Sequence, residues 1–201
     1  MEFIKNVLTY PDNANLIIKK TNGNGNLWLG NMKAALDLDF LVDNNISVIV
    51  NVTADIPYIH EILDPEMLCK QNNNYCGLRQ LETFRIPVFD SLLPHDIYLM
   101  EQYLPQVLPF IIQKLYNEKK NVLIHCYAGK QRSAIVVAAL LYTLQDKEQD
   151  KEQNKENTPQ AKSKYMNNII NYIIKKRPCA FTYGLRVNFK ESIENYFNIK
   201  L

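Results

Sequence analysis

The chain lacks several features that would place it in common classes of protein. It has no apolar run of the 18 or more residues that a membrane span needs, and residues 1–15 contain no apolar stretch of signal-peptide length. Its net charge is only +2, from 23 basic and 21 acidic residues, so no strong field predicts nucleic acid or an anionic membrane as the main partner. We therefore expect a cytoplasmic protein with no membrane span and no stable nucleic-acid binding.

Cysteine is also scarce. The four cysteines are irregularly spaced, at Cys69, Cys76, Cys126 and Cys179. This spacing does not match a secreted disulfide framework, and it does not match the ligand spacing of a metal site. The pattern favours a reducing, intracellular compartment, and it implies no cofactor.

The order of apolar segments indicates the fold class. A chain of 201 residues that is 47% hydrophobic can bury one sizeable core, which favours a single domain over residues 1–201. Predicted strands at 27–30, 46–53 and 122–126 alternate with helical patterns, which is typical of an α/β fold with a mostly parallel central sheet and helices on both faces. Ligands of such sheets bind at the carboxyl ends of the strands.

Three further segments carry specific expectations. Residues 31–45 predict one helix, and the long helix that follows residue 96 is expected to kink or to begin near Pro105. Residues 145–164 are of low complexity, with charges of both signs, and predict a flexible insertion, with a docking tail as the alternative. A helical extension at its start is compatible with its Lys, Glu and Gln content, whereas Thr158-Pro159 is expected to interrupt a helix.

The stretch HCYAGKQRS, residues 125–133, joins a predicted buried strand to a predicted buried helix. At such a joint the first backbone N–H groups of the helix converge without intrahelical partners, and the helix dipole favours an anion there. Gly129 permits a tight bend, and Arg132 offers a fork of donors that matches two phosphate oxygens. The sequence therefore predicts that a phosphate group is bound by His125, Arg132 and the loop residues Tyr127, Ala128, Gly129, Lys130 and Gln131.

Cys126 would lie at the base of this loop. Donors that bind phosphate also stabilise a thiolate, so we expect Cys126 to be a nucleophile that forms a cysteinyl-phosphate intermediate. Ser133 could then donate its hydroxyl to the departing sulfur. His125 is expected to order the loop by hydrogen bonds.

The leaving oxygen of a phosphate ester also needs a proton. Asp90 lies at the carboxyl end of a predicted strand, TFRIPVFD at residues 83–90, where a loop begins, which makes it the candidate general acid. Asp96 lies on the same loop and is the alternative, because one aspartate at this place could simply cap the next helix.

These residues carry a resemblance to a known family. His125, Cys126, Arg132 and Ser133 match the His-Cys-x5-Arg-Ser signature, so the sequence resembles the cysteine-based protein tyrosine phosphatases and, within them, the small dual-specificity phosphatases. The stretches LWLGNMKAALD, ISVIVNVT and IPVFD are similar to the family's flanking elements. The resemblance implies a phosphatase domain that acts on phosphorylated proteins, with Cys126 as nucleophile, Arg132 as phosphate ligand and Asp90 as acid.

Two positions depart from the family pattern. Gln131 stands where most members have a serine. In addition, FTYGLRVNFKES, residues 181–192, offers no equivalent of the Pro-Asn and later glutamine that brace the loop in many members. The sequence leaves open which residues brace the loop in this chain.

Three functions are compatible with these residues. The first is a phosphatase that acts on phosphotyrosine and also on phosphoserine and phosphothreonine in proteins. The second keeps the chemistry but acts on a phosphoinositide or an RNA 5′-phosphate; Lys130 suggests it, although Tyr127 stands where tensin-type lipid phosphatases usually have a further lysine. The third is a non-catalytic phosphate-binding module, which would be expected to lack the cysteine, the arginine or the acid. The sequence does not indicate an oligomeric state.

Overall fold

The computed structural model of the chain describes residues 12–91, 93–149, 158–182 and 189–201. Its centre is a five-stranded sheet with the strand order β1-β2-β5-β3-β4, in which β1 is antiparallel to β2 and the other neighbours are parallel. The strands are β1 (Ala14–Ile18), β2 (Leu27–Gly30), β3 (Ile46–Asn51), β4 (Glu82–Arg85) and β5 (Asn121–His125). The predicted α/β fold with a mostly parallel sheet is confirmed, and β1 is a strand that the sequence analysis does not identify.

The sheet is buried on both faces, as successive residues of β5 show by pointing into different cores. Val122 and Ile124 pack into one core, and Leu123 packs into the other. The first core lies under the helices α5 (Pro94–Ile112), α6 (Arg132–Gln149), α7 (Pro159–Lys176) and α8 (Lys190–Phe197). The second lies under the short helices α1 (Met32–Ala35), α2 (Leu38–Asp43), α3 (Ile59–Ile62) and α4 (Pro65–Gln71).

Two helix predictions need correction. The single helix expected over residues 31–45 is two helices, because the side chain of Asp37 accepts the N–H of Phe40 at 3.0 Å and so begins α2 anew. Helix α5 begins at Pro94 and continues through Pro105 and Pro109, so the expected start near Pro105 is wrong. Both internal prolines lie on the exposed side, where the carbonyls that they leave without intrahelical partners can bond water.

Thr158-Pro159 begins a helix instead of interrupting one. The Thr158 hydroxyl accepts the N–H of Ala161 at 3.2 Å as an N-cap, and Pro159 occupies the first turn, where its missing N–H costs nothing. Because α6 extends to Gln149, both ends of the predicted insertion at 145–164 are helical. Its centre, residues 150–157, lies outside the described residues, so flexibility there stays a prediction.

Cys69 and Cys76 form a disulfide, which the sequence analysis does not predict. The bond joins α4 to the 3-10 helix Asn73–Gln80, and the two Cα atoms are 4.4 Å apart. Because the partners are seven residues apart, the bond closes a local turn and does not tie distant elements together. Cys126 and Cys179 are free. Within the part of the chain that the structure describes, no helix has both the length and the apolar character needed to cross a bilayer.

Candidate active site

The loop that follows β5, residues 126–132, lies where three parallel strands end side by side. Gly30 at the end of β2 and Asn51 at the end of β3 both pair with His125 at the end of β5. The N–H of Val52 donates to the carbonyl of His125 at 2.8 Å, which extends this pairing into the start of the loop. The structure therefore places the 126–132 loop at the carboxyl edge of the sheet, as the sequence predicts.

The Cys126 sulfur receives two hydrogen bonds. The N–H of Gly129 and the hydroxyl of Ser133 each lie 3.2 Å from Sγ, and Cys126 is 2% exposed. Donors at this distance stabilise negative charge on sulfur. The structure thus brings together three of the predicted site residues, Cys126, Gly129 and Ser133.

The loop turns its carbonyl groups outward. Each carbonyl of residues 127–130 accepts a hydrogen bond from a donor outside the loop. The donors are Met32 N–H to Tyr127, Arg177 Nη2 to Ala128, Arg177 Nε to Gly129 and Phe181 N–H to Lys130. A trans peptide holds its C=O and the following N–H in opposite directions, so the outward carbonyls turn the amides of residues 128–131 inward, and the Gly129 amide bonds the sulfur directly.

Gly129 is the position where this loop comes closest to its surroundings. Its φ is +65°, and a Cβ atom there would lie 2.4 Å from the carbonyl oxygen of Gly30 and 2.7 Å from Nη2 of Arg177. The backbone conformation and the available space therefore both require glycine. The expected role of Gly129 in the bend is explained by these contacts.

Arg132 is buried at the first position of α6, and its guanidinium faces residues 86–90, which follow β4 and, contrary to the sequence prediction, are not part of a strand. Nη1 donates to the carbonyl of Val88 at 3.0 Å, and Nη2 lies 3.5 Å from Oδ2 of Asp90. Nε is buried and has no hydrogen-bond partner among the described residues. A buried cation with a spare donor fits a bound anion.

Asp96 and Asp90 occupy different environments. Asp96 is buried, and its carboxylate accepts the N–H of Phe89 at 3.0 Å and the hydroxyl of Ser91. It therefore holds the backbone around Asp90 in place. The side chain of Asp90 is 51% exposed and lies beside Arg132, so the geometry favours Asp90 of the two alternatives.

His125 is 1% exposed, and its imidazole is uncharged at neutral pH. Burial lowers the pKa of His125 to about 4, and the nearby charges of Arg85 and Arg132 act in the same direction. A hydrogen bond to the Cys126 backbone opposes this lowering. Nδ1 of the ring is buried without a hydrogen-bond partner among the described residues, so the ordering role of His125 stays a prediction.

The remaining predicted residues form the rim of the loop. Tyr127 is 63% exposed, Lys130 is half-buried, and the carbonyl of Gln131 begins the hydrogen bonding of α6 by accepting the N–H of Ile135 at 2.9 Å. Phe89 and Leu93 expose apolar side chains on the stretch that carries Asp90. Across the described ranges, no three His, Cys, Asp or Glu side chains cluster as metal ligands.

Arg177 contacts the loop, and the sequence analysis did not single it out. The run KKRP is typical of the charged end of a helix before a proline stop, and nothing in it separates Arg177 from Lys175 and Lys176. The structure exposes both lysines and buries the arginine completely.

Comparison with protein families agrees with this geometry. The family described as "Dual specificity phosphatase, catalytic domain" matches residues 27–149. Human dual specificity protein phosphatase 6 is 29% identical over 115 residues, which are 57% of this chain and 25% of that protein. Human dual specificity protein phosphatase 9 is 28% identical over 116 residues, 58% of this chain and 25% of the relative. The chain thus matches about a quarter of the length of these curated relatives.

Solved structures share the fold. The Yvh1 phosphatase domain from Chaetomium thermophilum aligns with a TM-score of 0.62 at 19% identity, over 92% of this chain and 95% of that one. OH1 from the Orf virus, described as a tyrosine phosphatase with triple substrate specificity, aligns with a TM-score of 0.63 at 18% identity, over 94% and 89% of the two chains.

The buried neutral His125 predicts a pH dependence of stability. Its folded pKa of about 4 lies below the unfolded value of 6.5, so its contribution is fully present above pH 6.5 and is lost as the pH falls toward 4. Between pH 7 and pH 4, wild type should lose about 3 kcal/mol more unfolding free energy than His125→Gln. Urea unfolding across this range measures the difference.

Thr53→Val is the control for this prediction. It removes the buried hydrogen bond of 2.7 Å from Thr53 to Asn51 but no titrating group, so its cost should be the same at every pH. A constant difference between wild type and His125→Gln would contradict the assignment.

Proposed function

We propose, from the premise that this chain belongs to the dual specificity phosphatase catalytic-domain family, that it is a protein phosphatase acting on phosphotyrosine and also on phosphoserine and phosphothreonine. The observation that carries the proposal is the pair of 3.2 Å hydrogen bonds from Gly129 N–H and Ser133 hydroxyl to the sulfur of Cys126. Together with the inward-facing amides of residues 128–131, just before α6, these bonds would stabilise negative charge on a nucleophilic sulfur beside an anion site.

In the first step the phosphoryl group lies among the loop amides, and Arg132 binds two of its oxygens. The Cys126 thiolate attacks phosphorus and forms the S–P bond while the ester P–O bond breaks. Asp90 gives its proton to the leaving oxygen, which departs as a neutral hydroxyl group. The products are the cysteinyl-phosphate, the dephosphorylated side chain and the Asp90 carboxylate.

In the second step water attacks the same phosphorus. The Asp90 carboxylate takes one proton from the water, the P–O bond forms, and the S–P bond breaks. Ser133, whose hydroxyl already donates to Sγ, stabilises the departing thiolate. Inorganic phosphate leaves, and both Asp90 and Cys126 return to their starting protonation states.

The rim supports a protein substrate. Phe89, Leu93 and Tyr127 expose apolar surface around the loop, and such side chains can pack against the residue that carries the phosphate and its neighbours. The charge of the phosphoryl group would be met by buried donors, whereas the rest of the substrate would contact exposed apolar groups. This division of contacts favours a side-chain phosphate on a polypeptide.

A second candidate function keeps the same steps with a phosphoinositide or RNA 5′-phosphate as substrate. Lys130 favours it, because this lysine belongs to the 126–132 loop, is half-buried and forms no ion pair among the residues described. The triple substrate specificity named for OH1 of the Orf virus supports testing more than one class. The comparison needed is of phosphotyrosine peptide, phosphothreonine peptide, phosphoinositide and 5′-triphosphate RNA.

Cys126→Ser should abolish turnover of a phosphotyrosine peptide and leave its binding near the wild-type level, because the loop amides and Arg132 remain. Steady-state release of phosphate and calorimetric binding measure the two effects. Cys179→Ser, which changes the other free cysteine, should keep full turnover. Turnover by Cys126→Ser would contradict the covalent route, and wild-type binding without turnover would favour a non-catalytic module.

Asp90→Asn should lower kcat/KM by about 10²- to 10⁴-fold for phosphotyrosine and phosphothreonine peptides. The loss should be smaller for aryl phosphates with good leaving groups, which need less protonation. Asp96→Asn is the matched variant, because it perturbs the backbone at Phe89 and Ser91 and so should lower activity equally for all leaving groups. The assignment is wrong if the dependence on the leaving group follows Asp96.

Lys130→Ala should change kcat/KM toward a phosphotyrosine peptide by less than about tenfold, a barrier change below about 1.4 kcal/mol. The charge of a single phosphate would already be met by Arg132 and the amides. A larger loss confined to phosphoinositide or RNA, with wild-type activity highest on that same substrate, would favour the second function. Added salt should weaken any such contribution.

A further inference from the structure

We propose that Arg177 is the positioning residue of the 126–132 loop, which holds the carbonyls of Ala128 and Gly129 outward so that the following amides face the bound phosphate. The inference deepens the proposed function, on which its catalytic consequence rests. It also assigns the bracing of the loop, for which the sequence offers no Pro-Asn and glutamine equivalent.

The guanidinium of Arg177 connects the loop to the strand at the edge of the sheet. Nε donates to the Gly129 carbonyl at 2.8 Å, and Nη2 donates to the Ala128 carbonyl at 3.3 Å. On its other side, Nη1 donates to the carbonyl of Asp12 at 2.9 Å and to Oδ1 of Asn15 at 2.6 Å. All three nitrogens therefore have acceptors, and the rigid fork relates two adjacent loop carbonyls to one another.

The next residues extend the same support. Phe181 has φ of +59°, a conformation unfavourable for an aromatic residue, and its N–H donates to the Lys130 carbonyl at 2.6 Å. The turn is closed by the bond from Ala180 N–H to the Arg177 carbonyl at 2.9 Å. Residues 177–181 thus bond three of the four outward carbonyls, and Met32 N–H bonds the fourth, at Tyr127.

Electrostatics adds to the effect of geometry. Burial lowers the pKa of Arg177, whereas the neighbouring Cys179, Cys126 and Asp12 raise it. Arginine stays charged in proteins, so the loop that follows Cys126 carries a buried positive charge at its Ala128 and Gly129 carbonyls. Charge-assisted bonds to the carbonyls also polarise the peptide groups whose N–H ends point inward.

A purely structural role is the competing explanation, because Arg177 also ties the end of α7 to β1. Tyr172 provides a control for that role. Its hydroxyl donates to the carbonyl of Ile17 at 2.7 Å, which joins the same helix to the same strand. No hydrogen bond described for Tyr172 reaches the 126–132 loop, so Tyr172→Phe weakens the tie without touching the carbonyls.

The test compares Arg177→Gln, Arg177→Lys and Tyr172→Phe in the full chain. Every protein in the comparison, including the reference, carries Cys179→Ser, so that Cys126 is the only free thiol. Calorimetry gives the Kd of sodium tungstate, which mimics the phosphoryl group. Alkylation by iodoacetate across pH gives the midpoint for thiolate formation, and p-nitrophenyl phosphate gives kcat/KM. Thermal unfolding reports stability separately.

Arg177→Gln should raise the tungstate Kd at least about tenfold, move the alkylation midpoint to higher pH and lower kcat/KM by about 10²-fold, as expected when reacting groups are misplaced. Arg177→Lys keeps the charge but not the fork, so its values should lie between those of Arg177→Gln and wild type. Tyr172→Phe should lower only the unfolding temperature.

The proposal is wrong if folded Arg177→Gln keeps the wild-type tungstate Kd and alkylation midpoint. Failure of both Arg177 variants to fold would also contradict it, because the residue would then support the whole domain and not this loop. A wild-type protein that binds tungstate but hydrolyses no phosphate ester would refute the proposed function while leaving the loop measurements valid.

Discussion

The site depends on the direction of four peptide groups. With their carbonyls outward, the loop amides turn toward the side of Cys126; with any one reversed, a carbonyl oxygen would face the sulfur and, in the proposed function, the phosphate. The outward direction is maintained by donors from α1, from Arg177 and from Phe181. Gly129 makes the arrangement possible, because its backbone passes between Gly30 and Arg177, where a side chain has no space.

The rest of the domain holds these donors at fixed distances. Strand β5 is buried along its whole length, and its neighbours β2 and β3 end beside His125. Helices α5 to α8 pack together on one face, which fixes the start of α6 and the end of α7. The shorter helices α1 to α4 cover the other face. Since a packed interior resists small displacements, the two cores hold the loop and the donors to its carbonyls in nearly fixed positions.

The buried ionisable groups around the sulfur are positive or neutral. Arg132 and Arg177 are buried cations, His125 is neutral because burial disfavours its charged form, and the Asp90 side chain lies half-exposed beside Arg132. In the proposed function these buried cations would attract a doubly charged phosphate group. In the proposed function Asp90 would be the proton donor to the leaving oxygen, and Asp96 holds the neighbouring backbone through Phe89 and Ser91.

Local pattern predicted much of this protein. The apolar strands, the joint between β5 and α6, and the spacing of Cys126, Gly129, Arg132 and Ser133 are all contiguous features, so the sequence alone indicated the α/β fold and the signature loop. Helix boundaries were less certain, because short polar contacts such as the Asp37 and Thr158 caps compete with the apolar period. The flexibility expected within residues 145–164 and the cytoplasmic location remain predictions.

Tertiary structure decided what depends on residues far apart in the chain. The sequence favours Asp90 over Asp96 only by its place at the end of a predicted strand, whereas packing makes Asp96 a buried acceptor and places Asp90 beside Arg132. Arg177 looks like any basic residue at a helix end, yet 48 residues separate it from the Gly129 carbonyl that it bonds. Sequence reports which donors exist, whereas burial and chain reversal determine which acceptors they meet, because a hydrogen bond depends on distance in space and not along the chain.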